Sequence, residues 1–176
     1  ASAPATKLPA RPVIAVTGGS LGTFNWVAGK TLTATNGSIF MPAKDLPGLV
    51  GNTINLSGNT LLSVRDMTLS GGGSFTAAGT SHGVIRTITL GADGSGGAMT
   101  LGGSNVFFTA GILTHTIGAA SGSSANVNVN SGARLTLSGT MLVNSTGHVS
   151  VGAGGTLWTD AVTINGDAAA TTGINV

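Results

Sequence analysis

The chain has no cysteine, no glutamate, no glutamine and no tyrosine among its 176 residues. Without cysteine there is no disulfide, no thiolate metal site and no cysteine nucleophile. Without Glu and Gln, two of the residues that usually build solvated helices, and with Thr, Val, Asn and Gly dominant, the composition points to an all-β protein. Charge is scarce: seven Lys and Arg against five acids, all of them Asp. Charged residues make up 7% of the chain, where roughly 25% is usual. The cations are scattered singly, which is a poor footprint for nucleic acid. No apolar run reaches the roughly 18 residues needed to cross a bilayer. Proline is confined to Pro4, Pro9, Pro12, Pro42 and Pro47. Its absence from Gly48 onward is expected if those backbone N–H groups are all needed in sheet ladders.

What is present argues for a folded chain. Thirty glycines with abundant Ser, Thr, Ala and Asn would suit a linker, but 41% hydrophobic residues would not. A chain of this length buries on the order of 70% of its unfolded surface. Residues 1–12 read as an extended arm, stiffened by Pro9 and Pro12 and carrying Lys7 and Arg11. These four are the candidate partner-docking residues. The opening "ASAPATKLPA" is equally compatible with a cleaved leader and with simple removal of the initiator Met. Residues 13–48 form an N-terminal β segment closed by the loop "MPAKDLPG", and residues 49–176 form a repetitive body.

In that body "MTLSGGGSFTAAG" (Met67 to Gly79) aligns without gaps on "MTLGGSNVFFTAG" (Met99 to Gly111), a shift of 32 residues. A further shift of 36 gives "LTLSGTMLVNSTG" (Leu135 to Gly147). Between these units lie other alternating runs, "VIRTITL", "ILTHTI" and "NVNVN". Period-2 alternation over four to seven residues, punctuated by Gly and Asn, predicts many short strands. Repetition at about 30 residues predicts that they stack. The expected architecture is a parallel β-solenoid with small apolar residues inside and glycine or asparagine at positive-φ corners. The competing all-β reading is a Gly-rich sandwich or jelly roll, in which the shifts would be hairpins. The stretch "VNVNSGARLTLSGTMLVNSTGHVSVGAGGTL" (Val127 to Leu157) resembles passenger segments of autotransporter adhesins and the β-helical stalks of phage tail and head fibres, in composition and cadence, over roughly Thr53 to Asn165.

Several motifs suggest chemistry and fail on spacing. "AVTGGSLGTFNWVAGKT" (Ala15 to Thr31) combines the start of a dinucleotide turn with the end of a phosphate loop. A phosphate loop needs glycine five residues before its Gly-Lys, and that position is Phe24. The segment after it is strand-like rather than helical, and a short-chain dehydrogenase would need a tyrosine. It reads instead as a first β-unit with a glycine corner. His82, His115 and His148 recur every 33 residues but occupy different registers relative to the closing glycines, so they predict exposed corner positions rather than a shared metal ring. Asp160 and Asp167 are the nearest downstream carboxylate pair, and a turn at Asn165-Gly166 would carry them apart. "GADGSGG" (Gly91 to Gly97) is one copy, with one Asp, of a pattern that binds calcium only when stacked. Thr87 and Thr89 hint at an ice-binding face, but no Thr-x-Thr ladder recurs at one sequence period.

No catalytic residue, cofactor or metal site is expected. The expected function is a non-enzymatic structural protein of an exterior surface: a homotrimeric decoration, head-fibre or stalk protein of a phage virion, docked through its arm. A bacterial surface adhesin or extracellular filament subunit, and a glycan-binding or glycan-cleaving β-helix, are the alternatives.

Overall fold

Short alternating strands satisfy their backbone polar groups by bonding each coil to the next. In the computed structural model, which describes residues 13–17, 20–21, 29, 31–41, 46–111, 113–166 and 173–175, every described pairing between strands is parallel. The coils run β1 (Val13–Thr17) with β2 (Ser20–Leu21); β3 (Thr31–Thr35) with β4 (Ser38–Met41) and β5 (Leu46–Val50); and β6 (Thr53–Ser57) with β7 (Leu61–Ser70). Then come β8 (Gly73–Ala77) with β9 (His82–Leu90), and β10 (Ser95–Leu101) with β11 (Val106–Ala110) and β12 (His115–Ile117). The last are β13 (Ser123–Val129) with β14 (Ala133–Asn144), and β15 (Gly147–Val151) with β16 (Thr156–Asn165), after which β17 (Gly173–Asn175) opens another.

The first strand of each coil joins sheet I, in the order β1, β3, β6, β8, β10, β13, β15, β17; the remaining strands form sheet II. The chain is therefore a β-solenoid, and the sandwich and jelly-roll alternatives, which need antiparallel hairpins, do not apply. Along sheet II the in-out alternation skips a beat: Val64 and Met67 are both buried with Arg65 and Asp66 between them. The same step recurs as a register shift between Leu137 and Thr140. The extra outward residues turn sheet II through a corner at that point.

The interior is a set of files, one residue per rung. Leu32, Ile54, Phe75, Met99, Val127 and Val149 stack along sheet I, each at most 2% exposed. Each such side chain contributes about 1.5–3 kcal/mol by leaving water. Gly79 shows why the corners need glycine. Its φ is +72°, and a Cβ there would lie 2.7 Å from the Gly58 backbone nitrogen of the coil below.

The coil length differs from the repeat visible in the sequence. Registers along sheet I give steps from 18 residues (Val13 opposite Thr31) to 28 (Gly97 opposite Ala125). The 32-residue shift is close to one and a half coils, because Met67 lies in β7 of sheet II and Met99 in β10 of sheet I. Each coil contains two strand-turn-strand passages, so a half-coil slip aligns almost as well as a whole one.

Candidate functional site

Val13 to Thr17 of the opening segment pairs in parallel with Thr31 to Thr35, and Gly18, Gly19 and Gly22 lie outside the described residues. Lys7, Pro9, Arg11 and Pro12 lie outside the described residues, as does Asp167. The three histidines have separate settings. His82 is exposed on the outside of sheet II, its ring 5.4 Å from that of Phe107. His148 is half-buried on the outer face of sheet I. His115, expected at an exposed corner, is fully buried.

That burial has a structural cause. The fifth coil breaks sheet II between β11 and β12, so the regular ladder is interrupted beside β9. The Ile88 N–H donates to His115 Nδ1 at 3.2 Å, and Nε2 lies 2.9 Å from the Gly111 carbonyl oxygen. An acceptor at Nδ1 with a donor at Nε2 defines the neutral Nε2–H tautomer. His115 thus supplies a side-chain hydrogen bond where the ladder fails.

The described carboxylates are each held by donors. Asp66 is paired by both Nε and Nη2 of Arg86, with Arg65 Nε 3.8 Å away. Asp160 accepts from the Gly139 N–H at 2.7 Å. Asp93 accepts from the Ser95 hydroxyl at 2.5 Å and the Ser95 N–H at 3.0 Å, and these two bonds hold its carboxyl below the usual carboxylate range. Asp66 and Asp160 sit four rungs apart, or about 19 Å at roughly 4.8 Å per rung. Among the described residues no three His, Cys, Asp or Glu side chains gather as a metal site. No helix among them is long and apolar enough to cross a membrane.

Two outer faces carry the recognisable surface chemistry, and they are opposites. Upstream of its corner, sheet II presents Leu61, His82, Phe107 and Arg134 in one file. Val84 and Trp158 lie in the next file, with Arg65, Asp66 and Arg86 at the corner. Phe107 is 42% exposed and Trp158 48%. Every described arginine is on this side. The outer face of sheet I instead bears Thr33, Asn55, Thr76, Thr100, Asn128 and Ser150 in one file, all half-exposed. Beside it runs a second file of Thr31, Thr53, Ser74, Ala98, Asn126 and His148. Neighbouring rungs are tied at Thr35 to Ser57, hydroxyl to hydroxyl at 2.8 Å, and where Ser74 Oγ donates to Thr53 Oγ1 at 3.2 Å. This polar file matches no single sequence period because successive coils differ in length.

Beneath the last strand of sheet II lies a cavity of about 350 Å³ lined by Met141, Val151, Leu157, Thr159 and Val162. Val162 and Ile164, whose partners Met141 and Val143 are interior residues, stand exposed there. In comparisons with known proteins, no family model, curated protein or solved structure matches the chain.

Proposed function

We propose that this chain is a non-enzymatic structural protein of an exterior surface, serving on a phage virion as a decoration, head-fibre or stalk protein held by residues 1–12. The observation behind this reading is the unbroken interior file from Leu32 to Val149. In such a stack each coil rests on its neighbours alone, so reach and stiffness grow with coil number, the property a stalk requires. The cadence shared with phage fibre stalks supports the finer assignment.

The exposed Leu61, Val84, Phe107 and Trp158 on sheet II favour self-association through that side, and a homotrimer would cover them. Analytical ultracentrifugation tests this part: a trimer is expected, and a 17.0 kDa monomer at micromolar concentration would remove it. Immunogold labelling of native particles tests the location, with label on virions expected. Label on bacterial cells would support the second reading, a cell-surface adhesin or filament subunit. That reading draws on the aromatic and arginine side chains of Phe107, Trp158 and Arg134, which suit a glycan ligand. Deleting residues 1–12 should release the protein from its particle, and unchanged retention would refute the docking role.

A further inference from the structure

We propose that the outer face of sheet I binds ice. The first observation is what its strands omit. None of β1, β3, β6, β8, β10, β13, β15 or β17 contains an Asp, Lys or Arg. Typical soluble domains are about a quarter charged, and eight rungs extend about 34 Å at roughly 4.8 Å each. A face of that length without charge suits a partner that is itself neutral.

The second observation is regularity. The registers from β3 to β15 run without a bulge, whereas sheet II shifts between Leu137 and Thr140. Outward side chains therefore form a grid of about 4.8 Å between rungs and about 6.6 Å between alternate residues of a strand. The water lattice of hexagonal ice repeats on the same scale in its own planes. Threonine suits such a grid. Its branched Cβ restricts χ1, so hydroxyl and methyl are held in place before contact and little side-chain entropy is lost on binding. The methyls order the water between them, and the hydroxyls and the Asn55 and Asn128 amides anchor that water by hydrogen bonds.

The composition of the face sets ice apart from two other neutral partners. A polysaccharide is gripped by aromatic platforms, and among the described residues the exposed phenylalanine and tryptophan, Phe107 and Trp158, are both on sheet II. A second copy of the chain would need an apolar centre to the contact, and the outward files of sheet I are hydroxyl and amide except at Ala98 and His148. A trimer built through sheet II would leave sheet I free. The inference stands independently of whether the solenoid belongs to a virion or a cell.

The test uses the full chain in a thermal-hysteresis and ice-recrystallisation assay. Wild type should depress freezing below melting and shape the crystals. The double substitution Thr76→Lys with Thr100→Lys, at the centre of the face, should abolish both effects with an unchanged circular dichroism spectrum. Should the lysines unfold the chain, Thr76→Ser with Thr100→Ser keeps the hydroxyls, removes the methyls and should lower activity several-fold. Thr68→Lys, exposed on sheet II beyond its corner, should leave it intact. Wild type without hysteresis, a folded lysine variant as active as wild type, a serine variant of full activity, or loss of activity in a folded Thr68→Lys would each overturn the proposal.

Discussion

Gly83 lies within strand β9, where a glycine weakens the strand unless something else needs its space. A Cβ on Gly83 would lie 2.2 Å from Cε1 of Phe108, so the glycine is the recess into which that ring packs. The ring is 1% exposed and meets Phe75 of sheet I edge-on, with centroids 5.4 Å apart and planes at 80°. Phe108→Ala removes a buried aromatic from between two walls and should cost about 3–5 kcal/mol. At about 2–4 °C per kcal/mol for a chain of this size, the melting temperature should fall by about 6–20 °C. Gly83→Ala overfills the same space and should cost about 1–3 kcal/mol. The two changes should not add. With Phe108→Ala present, the added methyl of Gly83→Ala has room, and the coupling energy in a double-mutant cycle should be about 1–3 kcal/mol. The assay is urea unfolding followed by circular dichroism for the wild type, both single variants and the double variant. Strict additivity would refute the packing argument.

Other outcomes follow from the same geometry. His115→Leu keeps bulk but leaves the Ile88 N–H without its acceptor, and urea unfolding should show a loss of about 1–3 kcal/mol. Gly79→Ala, with φ at +72° and the Gly58 backbone 2.7 Å from the new Cβ, should destabilise well beyond Gly72→Ala, where φ is +74° and nothing lies within 4 Å; similar melting temperatures would contradict the stacked-corner account. Asp93 has its carboxyl held below the ordinary range by Ser95, so its ionised form favours the folded state. That contribution is present above the ordinary value of about 4 and fades as the pH falls through the lowered one. Thermal melts across this acid range should show a shallower decline for Asp93→Asn than for wild type, and parallel curves would argue against it.

The sequence carried the fold class through its absences: no Glu or Gln, and no proline after Pro47 to interrupt a ladder. Positive-φ corners were legible as glycines and as Asn36, whose φ is 51°. The coil length was not, because a half-coil slip matches Met67 with Met99 while placing them in different sheets. The same alignment pairs Phe75 with Phe107, yet the structure buries Phe75 against Phe108 and exposes Phe107. One residue of register moves a side chain from core to solvent. His115 misled for a related reason, since its burial depends on a broken strand that no local pattern announces. The polar grid on sheet I emerges only after coils of unequal length are laid over one another.

The stacking order is the claim on which the faces, the files and the proposed functions all depend. A chain without cysteine takes paired labels cleanly, and pulsed electron-spin resonance between spin labels at engineered cysteines measures the stack directly. Labels at Thr33 and Thr100 are three rungs apart and should give about 14 Å; labels at Thr33 and Ser150 are five rungs apart and should give about 24 Å. Distances that rise by one strand spacing per rung confirm the solenoid, whereas a Thr33–Ser150 distance equal to or shorter than that of Thr33–Thr100 would contradict it.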